Sequence, residues 1–256
     1  MPIKKVLIDL SGTLHIDNQV TGGAVEALKR LRESNISVKF VTNTTKESRR
    51  ILFNRLKSLG FELESNEIFT SLTATRDFVK QNELNPLLLV DEKALEDFAD
   101  VVHSDKKQDS VVIGLAPNSF KYDVLNNAFR LLKSGGKLIA IHQARYFKEK
   151  SGLSLGPGCF VKGLEYSADC KAHTIGKPSE EFFLAALEGT QPSEAVMIGD
   201  DARDDVGGAQ AINIKGILVK TGKYTPGDES LITPLPMATV ENFSAAVDLI
   251  IQNNSI

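Results

Sequence analysis

Short apolar runs alternate with longer amphipathic stretches along most of the chain. "KKVLIDL" and "ISVKFVTN" read as strands buried in a sheet. "GGAVEALKRLRESN" places Ala24, Val25, Leu28 and Leu31 at helical spacing. "TTKESRRILFNRLKSLGF" predicts the next helix, with Thr44 and Glu47 spaced as a capping box and Gly60 suited to the C-terminal stop. "EIFTS" predicts a short third strand. Repeated strand–helix units of this kind predict a parallel sheet with helices on both faces.

The middle of the chain is less regular. "PLLLV", "SVVIGLA" and "KLIAIH" predict strands, and "YDVLNNAFRLLKSGG" a helix closed by glycines. "SGLSLGPGCF" reads as a Gly-rich loop and "FVKGLEYSA" as a short helix. This is enough βα material for a small domain of its own, expected over residues 79–173. The first pattern then resumes with the helix "PSEEFFLAALEG", the strands "EAVMIGDD" and "IKGILVKTG", and the terminal helix "ENFSAAVDLIIQ". The expected fold is α/β: a Rossmann-like parallel-sheet core of residues 1–78 and 174–256, interrupted by an inserted α/β domain.

Composition narrows the function classes. Of 256 residues, 42% are hydrophobic and 25% charged, as in an ordinary globular protein with ample core material. A net charge of -3 argues against nucleic acid as the main partner, because phosphate backbones need a basic face. The two cysteines, Cys159 and Cys170, support neither a disulfide framework nor a zinc site, and buried or inert thiols are expected. No run approaches the ~20 apolar residues of a membrane span, and "MPIKKVLIDL" lacks a signal-type apolar region, so no membrane partner and a cytoplasmic location are expected. Gly136-Lys137 and Gly222-Lys223 lack the other residues of a P-loop.

The chemistry gathers at strand ends, where open parallel sheets bind ligands. The first strand ends in Asp9, followed by Ser11, Gly12 and Thr13. The second ends in Thr42 and Asn43. A later one ends in Asp200 and Asp201, with Asp204 and Asp205 a turn on, and "IGKPS" sets Lys177 before a helix with Pro178 suited to its first turn. Each residue alone has a plainer reading as a cap, turn or surface group. Together they form a coherent set. Carboxylates such as Asp9 and Asp200 repel unless a cation sits between them, and a few hard oxygen ligands suit Mg²⁺, which also binds substrate phosphate. Thr42 and Asn43 offer a hydroxyl and an amide ahead of a helix, Lys177 can neutralise a phosphate, and Gly12 lets backbone approach an anion. The set reads as a phosphoryl-transfer site with Asp9 as nucleophile.

In this order the motifs "DLSGTL", "VTN", "GKPS" and "GDDARDD" resemble the four motifs of the haloacid dehalogenase superfamily of phosphatases. The insert resembles the cap of its nitrophenyl-phosphatase, pyridoxal-phosphatase and phosphoglycolate-phosphatase branch. The resemblance implies that Asp9 is nucleophile and Mg²⁺ ligand, that Ser11 gives the metal its backbone carbonyl, and that Asp200 is the third protein ligand with Asp205 supporting the metal shell. It further implies that Thr42, Asn43 and Lys177 hold the phosphoryl group of a small phosphorylated substrate, in a site that Leu10 also lines. A homodimer through the cap is implied as well. His15 is expected to be a loop residue.

Ser11 departs from the family pattern, which has Asp at this position to protonate the leaving group and activate water. Such proton transfer is worth ~10²–10⁴-fold. Serine cannot readily give or take a proton near neutral pH. The expected activity is therefore a slow Mg²⁺-dependent phosphatase for easy leaving groups: phosphoramidates, pyrophosphate or aryl phosphates. The alternatives are a phosphate-ligand binding protein with little turnover and, further off, a receiver-type phospho-acceptor. His142, Gln143, Arg145 and Tyr146 in "IHQARYF" are the cap residues expected to face the site, with Arg145 a candidate anchor for a second anionic group or else a solvated loop residue.

Overall fold

The computed structural model describes residues 2–149 and 151–254. Six parallel strands form the larger sheet, in the order Ala238–Val240, Lys215–Val219, Ala195–Gly199, Lys5–Ile8, Ser37–Thr42, Ile68–Thr70. Every residue of Lys5–Ile8 and Ala195–Gly199 is buried, as central strands covered on both faces require. The period of two sorts their side chains. Val6 and Ile8 pack with the helices Ala24–Glu33, Arg49–Ser58 and Phe243–Asn254. Leu7 faces the other way, onto Phe182, Phe183 and Ala186 of the helix Glu180–Leu187.

A second sheet holds His173–Thr174, Lys137–Ala140, Ser110–Ile113 and Pro86–Leu89, again all parallel. The helices Tyr122–Lys133 and Gly158–Ala168 cover one face through Ala128, Leu132, Val161 and Leu164. The helix Ser71–Gln81 follows directly on the last strand of the larger sheet, yet it buries Leu72 and Val79 against Val112 and Ile139 of the second. Among the described residues, no helix is long and apolar enough to cross a membrane.

Several local expectations are corrected. The second helix begins at Arg49, and its cap is Ser48, whose hydroxyl accepts from Ile51 N at 3.3 Å. Thr44 and Glu47 form no capping box, because the Glu47 carboxylate is held by Arg55 at 2.5 Å. Gly60 does close that helix, at φ 94°. Ala27 shares the buried face of the first helix with Ala24, Leu28 and Leu31, while Val25 is only half-buried. The segment read as a Gly-rich loop contains the strand Gly152–Leu155, which pairs antiparallel with Tyr146–Glu149. Its glycines hid the alternation of Leu153 and Leu155 with small residues. Pro178 lies ahead of the cap residue Ser179 rather than inside the helix. Both cysteines are free, but Cys159 is exposed rather than buried.

The corrected helix start can be tested on stability. Ser48→Ala should cost about 1–2 kcal/mol through the lost cap. Thr44→Ala should stay within about 0.5 kcal/mol of wild type. Urea midpoints at constant slope measure both, and the reverse ranking would return the helix start to Thr44.

Candidate active site

The carboxyl ends of adjacent strands carry the acids to one place. Ile8 pairs with Ile198, so Asp9 and Asp200 leave the sheet side by side, and Asp9 N donates to Ile198 O at 2.9 Å. Carboxylate oxygens of Asp9, Asp200 and Asp205 all lie within 4.8 Å of one another, and all three residues are buried. Lys177, 2% exposed, reaches into this group. Its Nζ lies 2.6 Å from Asp9 Oδ1 and 2.7 Å from Asp205 Oδ1, and donates to Val41 O at 3.1 Å. Burial would push the lysine's pKa down, but Asp205 and Asp9 outweigh it and raise it, so the ammonium stays charged.

The acids are less comfortable. Asp205 is pushed up to about 6, first by burial and then against the pull of Lys177. Burial also raises Asp200 well above the usual carboxylate range, with Asp9 and Asp205 adding repulsion and Lys223 opposing it. Asp200 Oδ2 accepts from Lys223 N at 2.8 Å, whereas the buried Oδ1 has no partner. Asp201 is occupied elsewhere: it caps Arg203 N and Asp204 N and pairs with Lys223 Nζ at 2.6 Å.

Backbone comes unusually close to these carboxylates. A Cβ on Gly12, at φ 98°, would stand 2.1 Å from Asp200 Oδ2, and one on Gly222 at the same distance. These two glycines clamp the Asp200 side chain.

Thr42 is buried on the same edge, and its hydroxyl accepts from Thr44 N at 3.1 Å. Asn43 does something other than expected. Its amide grips the backbone of Lys177, with Nδ2 donating to Lys177 O at 2.8 Å and Oδ1 accepting from Lys177 N at 3.0 Å. The Asn43 amide is thereby engaged in fixing the lysine's backbone. Ser11 is exposed, and Leu10 is buried with its carbonyl turned back onto the N–H groups of Thr13, Leu14 and His15.

All of these groups open onto a cavity of about 610 Å³ between the two sheets, walled by Asp9, Ser11, Thr42, Lys177, Asp200 and Asp205 from the larger sheet's side. His142, Tyr146 and Phe147 close it from the second. Gln143 and Arg145 instead line a smaller neighbouring cavity of about 250 Å³, with Asp201 and Asp204. Arg145 is thus an exposed residue beside acids, which is a poor position for an anion anchor.

One residue escaped the sequence reading, and another is placed differently from it. Lys223 was set aside with a failed P-loop pair, yet it binds Asp200 and Asp201. Its position just past the strand Lys215–Val219, on the same sheet edge, was the available signal. His15 is no loop residue. It is 3% exposed in a short hairpin, paired with Val20, and neither ring nitrogen has a hydrogen-bond partner. Burial first, and Arg55 next, push it down to about 4; the Asp17 backbone favours its proton weakly without closing a bond of normal geometry.

Comparison with known proteins agrees with this geometry. Residues 6–104 match the family model described as haloacid dehalogenase-like hydrolase, and residues 174–246 match the HAD-hydrolase-like model. The chain belongs to the haloacid dehalogenase-like hydrolase family and is a phosphatase of its capped branch. It is 58% identical over 253 residues to haloacid dehalogenase-like hydrolase domain-containing protein 2 of Bos taurus, covering 98% of this chain and 97% of that one. It is 39% identical to the phospholysine phosphohistidine inorganic pyrophosphate phosphatase of Danio rerio, over 98% and 95% of the two chains. Among solved structures, the 4-nitrophenylphosphatase of Thermotoga maritima superposes with a TM-score of 0.88 at 25% identity, over 97% of each chain.

The clamp on Asp200 predicts a cost for the smallest change. Gly12→Ala puts a methyl group into the carboxylate and strains a left-handed backbone. It should destabilise the protein by about 1–3 kcal/mol or more. A lowered urea midpoint reports this, and an unchanged midpoint would mean that Asp200 moves freely.

Proposed function

We propose that the protein is a Mg²⁺-dependent phosphatase that works through an aspartyl-phosphate on Asp9 and favours substrates with good leaving groups. The observation that carries this reading is the Asp9–Lys177–Asp205 bridge beside the partnerless Asp200 Oδ1. The pairing with Lys177 orients Asp9, as a carboxylate nucleophile requires. In the first step an Asp9 oxygen bonds to phosphorus and the bond to the leaving group breaks. In the second, water attacks that phosphorus, releasing phosphate and restoring the carboxylate. Lys177 offsets charge on the transferring group, Thr42 offers it a hydroxyl, and Asn43 holds Lys177 in place.

A divalent cation fits the residues present. Of three clustered, buried carboxylates, Asp9 and Asp205 share the Lys177 ammonium, while Asp200 Oδ1 is a desolvated acceptor without a donor, which is costly unless a cation meets it. Asp9, Asp200 and the Ser11 carbonyl would hold the ion, with Asp205 supporting it, and all-oxygen donors suit Mg²⁺. When bound, the ion supplies positive charge for the phosphoryl oxygens.

Ser11 bears on the substrate. Without an acid at that position the leaving group must depart without a proton from residue 11, which favours aryl phosphates, pyrophosphate and phosphoramidates, whose nitrogen can already carry its proton. The names of the nitrophenylphosphatase and of the phospholysine, phosphohistidine and pyrophosphate relative are in keeping with that class. We assign the substrate-selecting part to a cap spanning residues 79–173, with 1–78 and 174–256 as the catalytic core.

Asp9→Asn tests the nucleophile. The amide is a weak nucleophile and a weak Mg²⁺ ligand, so turnover of 4-nitrophenyl phosphate should fall by about 10³-fold or more. Retention of a few per cent of wild-type activity with an intact melting curve would remove Asp9 from the reaction. Unchanged phosphate binding together with negligible wild-type turnover would favour a phosphate-binding protein instead.

The raised acids set the pH dependence of the cation. Mg²⁺ needs them ionised, and Asp205 takes up its proton as pH falls through about 6. The Mg²⁺-induced rise in Tm should therefore shrink as pH falls through that value. Melting curves with Mg²⁺ and with chelator across this window measure the difference, and a pH-independent rise would place the ion elsewhere.

A further inference from the structure

The cap brings one side chain to the cavity whose role is open. His142 follows the strand Lys137–Ala140, where Ile141 is tied on both sides: its N–H donates to Ile113 O at 2.9 Å, and its carbonyl accepts from Gly176 N at 2.8 Å. The histidine is 6% exposed and lines the main cavity together with Asp9, Ser11, Lys177 and Lys223. Ala144 N donates to its Nδ1 at 3.3 Å. A ring nitrogen that accepts a hydrogen bond carries a lone pair, so in the neutral ring the proton sits on Nε2. No protein acceptor meets Nε2 among the described residues, and it is absent from the shut-off, partnerless atoms that include both nitrogens of His15. His142 is thus the imidazole on this wall with a nitrogen open to the cavity.

Burial first, then the charges of Lys223 and Lys177, push its pKa down to about 3. The same positive field that keeps the ring neutral draws anions toward it.

We propose that His142 is a catalytic residue on the leaving-group side, where its neutral Nε2–H donates a hydrogen bond to the oxygen on which negative charge develops. This rests on the phosphatase reading above. An Asp9 oxygen bonds to phosphorus, the bond from phosphorus to the leaving oxygen breaks, and the electron pair stays on that oxygen. His142 keeps its proton throughout, because a neutral imidazole N–H is no acid near neutral pH, and the released oxyanion takes its proton from water. The donor stabilises charge where an acid at position 11 would have neutralised it. The substrates that gain from this donor are those whose leaving groups depart through oxygen as anions, aryl phosphates and phosphoanhydrides. A phosphoramidate nitrogen departs as a neutral amine and gains nothing from this N–H.

The test compares wild type, His142→Phe and His142→Gln, each checked for an intact melting curve, on aryl phosphates of graded leaving-group basicity and on inorganic phosphoramidate. His142→Phe should lower kcat on the poorer aryl leaving groups by about 10²-fold, as loss of one oxyanion donor does. The loss should shrink as the leaving group improves, steepening the dependence on basicity, and phosphoramidate turnover should hold. His142→Gln, which keeps an N–H donor, should recover part of the loss. The ratio of wild type to His142→Phe should stay level between about pH 5 and pH 8, because the ring does not titrate there. Nitrogen-15 spectra of the histidines should show His142 protonated on Nε2 alone. Equal losses on every substrate, a ratio that follows an ionisation, or a ring protonated on Nδ1 would each overturn the proposal. Asp9→Asn separates the two readings. An inactive Asp9→Asn with an unchanged slope in His142→Phe defeats the His142 role alone, whereas an active Asp9→Asn, or a wild type inert toward all these substrates, defeats both.

Discussion

A lysine ammonium is expensive to remove from water, and the site is organised around one that is nearly fully removed. Lys177 is stable there because Asp9 and Asp205 meet its Nζ directly and Val41 supplies a carbonyl. Those three partners come from different parts of the chain: the end of the first strand, the helical segment Ala202–Gly207 after Ala195–Gly199, and the strand Ser37–Thr42. The lysine itself arrives on the segment that leaves the second sheet, where Asn43 fixes both its backbone N–H and its carbonyl. Moving any of these elements by one residue would strand a buried charge. The register of the larger sheet and the position of the returning segment are thereby coupled through a single ammonium group.

The opposite problem lies next to it. Asp200 has two glycines pressed against one carboxylate oxygen and no partner for the other. Such an arrangement costs stability in the protein alone, since a desolvated acceptor is left without a donor. Lys223 offsets part of the charge from the far side through its backbone N–H to Asp200 and its ammonium to Asp201. The carboxylate cluster is built with too few cations of its own, a condition that suits a site meant to receive one.

The two sheets divide the chemistry between them. The larger supplies charged groups at strand ends, held by buried parallel pairing. The second supplies a wall of His142, Tyr146 and Phe147. The joint between them is not a flexible link alone. Thr45 accepts from Leu115 N at 2.9 Å, Lys46 stands 4.0 Å over the Phe147 ring, and Ser48 N donates to Lys93 O at 3.0 Å. The loop after the second strand therefore carries Thr42 and Asn43 on its inner end and contacts with the second sheet on its outer end. A change in how the sheets meet would reach the Thr42 side of the cavity directly.

Much of this was legible in the sequence, because the signals are local. Strands of the larger sheet are short apolar runs that end in acids or hydroxyls, and the period of two is written into Val6, Leu7 and Ile8. The positions of Asp9, Thr42 and Asp200 at strand ends follow from that pattern alone. The helix start at Ser48 was misplaced because Thr44 and Glu47 match a capping box in spacing, and only Arg55, taking the Glu47 carboxylate, removes that option. The strand Gly152–Leu155 was hidden because its glycines mask a short alternation that becomes a strand only on pairing with Tyr146–Glu149. The rest required contacts across long stretches of chain. Asn43 and Lys177 are 134 positions apart, and no local pattern shows that the amide of one closes on the backbone of the other. Lys223 joins the site because parallel pairing sets Lys215–Val219 beside Ala195–Gly199, and His142 because the second sheet folds over the first. Sequence by itself determined which residues end strands, since periodicity and turn residues act over a few positions. Tertiary structure decided which of those ends share a buried charge, since that depends on burial and on neighbours brought together only by folding.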